Sequence, residues 1–218
     1  SATITLAVRF DIDCIPRPLE TNGFTIKAVV GGTTLVSTDV EVFTEQAFFG
    51  LPYEVPWSQV DTFAPPTELV LLTTSILAHP PTLFAPPSPE RYALYRTCVP
   101  EIAAGTPLDD GDVALELLAL YLQAIPGHLL PPPFLAALRP ALLAPFDLHT
   151  FLAAHRPLLP GFNFCVLRHL ATLFNSPLPH ARDIAFLLGP YCLSLSQPVD
   201  HWLVAFFLST CLPAAFAV

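Results

Sequence analysis

The chain has 218 residues, is 53% hydrophobic and only 12% charged, and contains 26 prolines, with a mean hydropathy of +0.57. That composition excludes an intrinsically disordered tail, which needs low hydrophobicity and high charge. Nine Lys and Arg against 18 Asp and Glu leave a formal net charge of −9, the wrong sign for tracking phosphates or docking on anionic lipid, so neither nucleic acid nor a strong membrane contact is expected.

A chain of this length holds one domain or two small ones and can bury a proper core. With so few charges it must leave apolar surface exposed, and contiguous exposed apolar surface marks a partner interface, so a tight protein partner is expected. The five cysteines, Cys14, Cys98, Cys165, Cys192 and Cys211, are scattered with no CxxC pair. They read as reduced, mostly buried thiols. The chain has no glycosylation acceptor, and residues 1–12 alternate rather than form an apolar leader, so an intracellular, cytoplasmic protein is expected.

The predicted fold class is α+β in two parts. Residues 1–78 read as a small antiparallel β-sandwich or meander. Thr3 to Ile12 keeps Ile4, Leu6, Val8, Phe10 and Ile12 on one face at period two. Phe24–Val30, Leu35–Phe43 and Glu68–Thr74 repeat that logic, and Gly31-Gly32 is a two-residue turn between β-rich runs. Between His79 and Pro89 the string HPPTLFAPPSP carries five prolines, whose missing donors and fixed φ forbid a helix interior or central strand, so 79–89 is the predicted linker. The acidic excess falls mainly before it, −6 over residues 1–79 against −3 over 80–218.

Residues 90–218 are predicted to be all helical. Asp112 to Ile125 places Val113, Leu117, Leu120, Tyr121 and Ala124 near one face, with Asp109 or Asp110 as N-cap and Pro126 as a stop. Further helices are expected at about Pro133–Leu143, Leu148–His155, Asn163–Phe174, Pro179–Leu187 and Val199–Leu212. The Trp202–Val218 segment is the nearest thing to a membrane span, but Ser209, Thr210 and Pro213 interrupt it and it reads as a buried terminal helix.

Chemistry-bearing patterns are sparse. Cys165 and His169 sit four apart on one predicted helix face, which is metal-ligand spacing only if two more ligands converge; a packed thiol beside an imidazole is the simpler reading. Asp11 and Asp13, with Asp39, lack the acid cluster of a calcium loop. There is no HExxH, GxSxG or glycine-rich phosphate loop, so neither a metal nor a cofactor is expected.

Four strings in the helical half occur in a telling order: LYRTCV (94–99), LELLALYLQAIPGHLLPP (115–132), LLPGFNFCVLRHLATLF (158–174) and ARDIAFLLGPYCL (181–193). Over roughly residues 90–212 this order and spacing resembles the RhoGAP domain, the helical module that stimulates GTP hydrolysis by Rho-family GTPases. That family carries (I/L)YRxSG, LLKxYLRxLPxPL, LPxxNxxxLxxL and NLAxxFGPxLL. The resemblance implies that Arg96 occupies the position of the arginine finger, which sets a guanidinium against charge developing on the transferred phosphoryl group. It also implies partner-facing roles for Tyr95, Arg96, Gln123, Asn163 and Asp183.

Several positions depart from the family pattern. Cys98 and Val99 replace its serine and glycine, Ala119 its lysine, Gln123 its second arginine and Asp183 the asparagine of NLA, while Asn163 matches. The lost cations and the acceptor-only Asp183 imply a degenerate, catalytically silent domain that docks a protein partner such as a small GTPase. The alternatives are an active GTPase-activating protein using Arg96, and a subunit of a larger structural or viral assembly. The strand pattern and the PYEVPW stretch (52–57) carry a looser resemblance to a C2-type sandwich.

Overall fold

The computed structural model describes residues 22–30, 33–42, 55–142, 147–193 and 198–216. Strand β1 (Asn22–Val30) pairs antiparallel with β2 (Thr33–Val42), from Asn22 opposite Val42 to Val30 opposite Thr33, with a register shift at Ala28/Val29. The β-branched content of both strands suits a pleated ladder, and the pair flanks Gly31-Gly32 as the sequence predicts.

Among the described residues the predicted sandwich is not found. Two strands make one sheet, and from residue 55 onward the described chain is about 70% helix with no strand. The fold is a helical assembly preceded by a hairpin, which corrects the α+β sandwich reading. The expected strand at Thr3–Ile12 lies outside the described residues, as does the Pro52-Tyr53-Glu54 part of PYEVPW.

The run Glu68–Thr74, expected as a strand, lies inside helix α1 (Thr67–Ala78). Its apolar residues satisfy either period over so short a stretch, and Leu69, Leu72 and Ile76 decide the matter by being fully buried at helical spacing. The β-branched Thr73 is accommodated because its hydroxyl donates back to the Leu69 carbonyl at 3.0 Å. Helix α2 (Tyr92–Ala103) falls within the region expected to be helical, although it is not among the individual helices placed there, and it carries Pro100 in its interior.

The remaining helices fall where the period predicts, with small shifts at their ends: α3 (Gly111–Gln123), α4 (Pro132–Ala141), α5 (Leu148–His155), α6 (Gly161–Asn175) and α7 (Ala181–Leu188). Asp110 caps α3, accepting from the amides of Asp112 and Val113 at 2.9 and 3.1 Å, and Asp147 caps α5 in the same way. The last helix is interrupted: α8 (Pro198–Phe206) passes through a π turn at Phe207–Cys211 into α9 (Leu212–Ala215). No helix among the described residues is long and apolar enough to cross a membrane.

Helix α3 is the axis of the assembly. It was expected to be apolar on one face, yet every residue from Val113 to Leu122 is buried, the pattern of a helix covered all round. α1 and α7 pack against it, as does the short 3-10 turn at Gly189–Cys192. Its start is set by Gly111, where any Cβ would lie 1.6 Å from the His79 carbonyl oxygen. Beside it, Asp112 accepts from the amides of Thr82 and Leu83 at 2.7 and 2.8 Å and from the Thr82 hydroxyl. The proline-rich segment is therefore tied by its backbone to the first turn of α3. Burial would raise the Asp112 carboxyl, but the hydrogen bonds from Leu83 and Thr82 outweigh it and hold the group below its ordinary value.

The stretch before α1 also joins the helical body. Trp57 Nε1 donates to the Leu159 carbonyl at 3.1 Å, and the Arg156 guanidinium lies 4.3 Å over the Trp57 ring. A Cβ on Gly161 would lie 2.2 Å from the Val55 carbonyl oxygen, so the start of α6 can approach this stretch only as glycine.

Candidate functional site

The four strings that carry the family resemblance meet around α3. Tyr95, on α2, is fully buried, and its hydroxyl donates to Glu116 Oε2 on α3 at 2.7 Å. Arg91 pairs with the other oxygen of the same carboxylate. Glu116, a single acid within the apolar run LELLALYL, is thus satisfied by a cation and a phenol at once, which is what a buried carboxylate requires. Burial, and then the bond to Glu116, push the Tyr95 phenol well above its ordinary value.

A second junction forms beyond the C-terminus of α3. Asn163, in the first turn of α6, is buried and its Nδ2 donates to the carbonyls of His128 and Leu129 at 2.7 and 3.0 Å. The next residue, Leu130, donates its amide to the Cys192 carbonyl at 2.9 Å. The IPGHLLPP loop is therefore clamped between the LPGFN start of α6 and the LLGPYC turn after α7. Gly127 and His128 both have positive φ, 73° and 68°, so the loop needs the anchoring that Asn163 supplies.

These junctions divide the sequence-predicted residues into two sets. Tyr95 and Asn163 are inside, acting as ties between helices. Arg96, Gln123 and Asp183 are exposed. Arg96 follows Tyr95 within α2, so the finger candidate sits in a helix. Ala119 is fully buried, so the position aligned with the family's lysine faces the interior. Cys98 and Val99 are half-buried against the core.

The other pairings read from the sequence resolve as structural contacts. Cys165 Sγ lies 3.7 Å from the Val60 carbonyl. His169 Nε2 lies 2.8 Å from the Thr73 hydroxyl. Because that hydroxyl directs its proton at the helix carbonyl, the imidazole is the donor, and burial holds its pKa below the ordinary value. Asp39 stands opposite Thr25 in the hairpin, and Asp11 and Asp13 lie outside the described residues.

One surface feature escaped the sequence reading. Around Asp183, a groove of about 390 Å³ is lined by Phe84, Pro86, Phe186, Leu187, Pro190 and Tyr191. Among the described residues Asp183 is the one charged side chain in that lining, and His180 Nδ1 lies 3.2 Å from its carboxylate. Phe186 is 42% exposed and its ring centroid lies 4.7 Å from that of Trp202, which is 69% exposed. The available signal was phase: Ile184, Ala185 and Leu188 form the buried face of α7, and Phe186 falls opposite it.

No protein-family model, curated protein or solved structure matches the chain. The geometry of these side chains is accordingly what bears on function.

Proposed function

We propose that the chain is a non-catalytic docking module built on a degenerate RhoGAP-like helical domain, and that it binds a protein partner, with a Rho-family GTPase as the first candidate. The observation that carries the reading is the position of Arg96 on α2. The residue before it is buried and bonded to Glu116, which fixes the helix in place. A finger must reach a phosphoryl group held by another protein, and a guanidinium on a pinned helix has less reach than one on a loop. The inward Ala119, the neutral Gln123 and the anionic Asp183 support the same reading, since the first two lack the cations, and the third the amide, that the family pattern carries there.

Exposure of Arg96 favours the competing reading of an active GTPase activator. The two separate in one experiment: single-turnover GTP hydrolysis by a panel of Rho-family GTPases, with binding to the same panel measured in parallel, using the parent protein and Arg96→Ala. Binding without acceleration is expected. Acceleration of about 10³-fold or more that disappears in Arg96→Ala would make the protein an activator, and no binding to any member would remove GTPases as the partner.

A further inference from the structure

The groove around Asp183 combines three properties that together restrict its occupant. Its walls are almost wholly apolar, with aromatic rings from Phe84, Phe186 and Tyr191 and the rings of Pro86 and Pro190. Its floor and rim come from α7, the turn at Gly189–Cys192 and the proline-rich segment, which Asp112 holds to the helical body. Its single charged side chain is a carboxylate, in a protein whose net charge is −9.

A groove with so little polar lining cannot satisfy the backbone donors of an ordinary extended peptide, and a donor buried without a partner is unfavourable. A proline-rich segment avoids that cost, because proline has no N–H and the polyproline II conformation is already extended and has no internal hydrogen bonds to break. Pyrrolidine rings also pack well on aromatic side chains, the mode by which aromatic-lined grooves take proline-rich ligands. Charge complementarity adds the second element. Asp183, with its carboxylate more than half exposed, favours a cation on the ligand, and the negative charge of the whole protein disfavours both an acidic peptide and a second copy of this chain.

We infer that the Asp183 groove is a docking site for a proline-rich peptide of a partner protein carrying an arginine or lysine next to its prolines. The prolines lie against Phe84, Phe186 and Tyr191, and the cation pairs with Asp183. Trp202, in contact with Phe186, extends the apolar wall beyond the groove. The site deepens the docking reading above by naming the partner's chemistry, and it makes no use of Arg96 or Gln123.

Two fluorescein-labelled oligoproline probes test it on the full chain by fluorescence anisotropy, one flanked by arginines and one by glutamates. The arginine probe is expected to bind at micromolar concentration and the glutamate probe at least tenfold more weakly. Asp183→Lys should abolish or reverse that preference, and Phe186→Ala should weaken both probes. Both residues are exposed, and circular dichroism of the two variants checks that the fold is kept. Absence of binding, equal binding of both probes, or binding indifferent to both substitutions would overturn the inference. Self-association of the free protein that Phe186→Ala abolishes would assign the groove to a second copy and overturn it as well. A GTPase that binds while neither probe does would refute the groove and leave the docking reading standing.

Discussion

Helices α3 and α8 both carry long apolar runs, LELLALYL against WLVAF, and they are used in opposite ways. α3 is covered on every side from Val113 to Leu122, and its buried acid, Glu116, is held within the core by Arg91 and Tyr95. α8 keeps Val204 and Ala205 inside but leaves Trp202 and Phe206 69% and 50% exposed, beside the Phe186 ring of α7. Apolar content alone therefore does not separate burial from display. What separates them is position: α3 has neighbours on every side, whereas α8 lies at the edge, packed on α7, on the turn at Gly189–Cys192 and on its own continuation, with its buried Asp200 held by Arg139 of α4.

The sharpest way to break the α3 side of this contrast is Gly111→Ala. The new methyl group meets the His79 carbonyl, a backbone atom that cannot rotate away, so the start of α3 and the segment tied to Asp112 must separate. A loss of about 3 kcal/mol or more is expected, read as the midpoint of urea unfolding or as failure to fold. If Gly111→Ala unfolds like the parent, α3 does not hold the close approach described here.

Glu116→Ala comes next. It leaves the Arg91 guanidinium and the buried Tyr95 hydroxyl without their shared acceptor, at an expected cost of about 2–4 kcal/mol. Adding Arg91→Ala and Tyr95→Phe should recover part of the loss, because no stranded polar groups then remain. The double and triple variants, measured by chemical denaturation, distinguish a stranded charge from simple loss of packing.

A smaller effect should appear with pH. Burial holds the His169 imidazole below its ordinary value, and that of His128 likewise, so the unfolded chain takes up these protons first. Stability is then intact above about pH 6.5, the ordinary histidine range, and declines as the pH falls below it. The thermal midpoint should drop by a few degrees between neutral and mildly acidic solution. His169→Gln, which keeps a donor for Thr73, should flatten part of that slope, and an unchanged slope would mean that His169 is not buried neutral. On the display side, Asp183→Lys and Phe186→Ala should leave the midpoint close to the parent's, because solvent already reaches both residues.

The helices were legible in the sequence where a local signal closed them. α5 is delimited by Asp147 as its cap, and α3 by Asp110. α1 was misread because seven residues with adjacent threonines fit a strand as well as a helix, and burial of Leu69, Leu72 and Ile76 against distant helices settles the period. The site was legible only as far as single positions. Arg96 and Asn163 could be picked out by their strings, but that Tyr95 faces Glu116 and Asn163 faces the His128 carbonyl depends on how separate helices meet. The Asp183 groove draws on α7 and on a proline-rich segment roughly a hundred residues earlier in the chain, a distance that no local pattern spans.

The π turn at Phe207–Cys211 bears on the same contrast between burial and display. Val204, Leu208 and Leu212 are all fully buried at intervals of four, whereas an α-helix of about 3.6 residues per turn advances such a row steadily around its axis. A wider turn absorbs that drift. The segment behaves as a vernier: it resets the angular phase of the last helix, so that Phe206 points away from the core while Phe216, ten residues on, reaches the Phe164 ring at 5.9 Å.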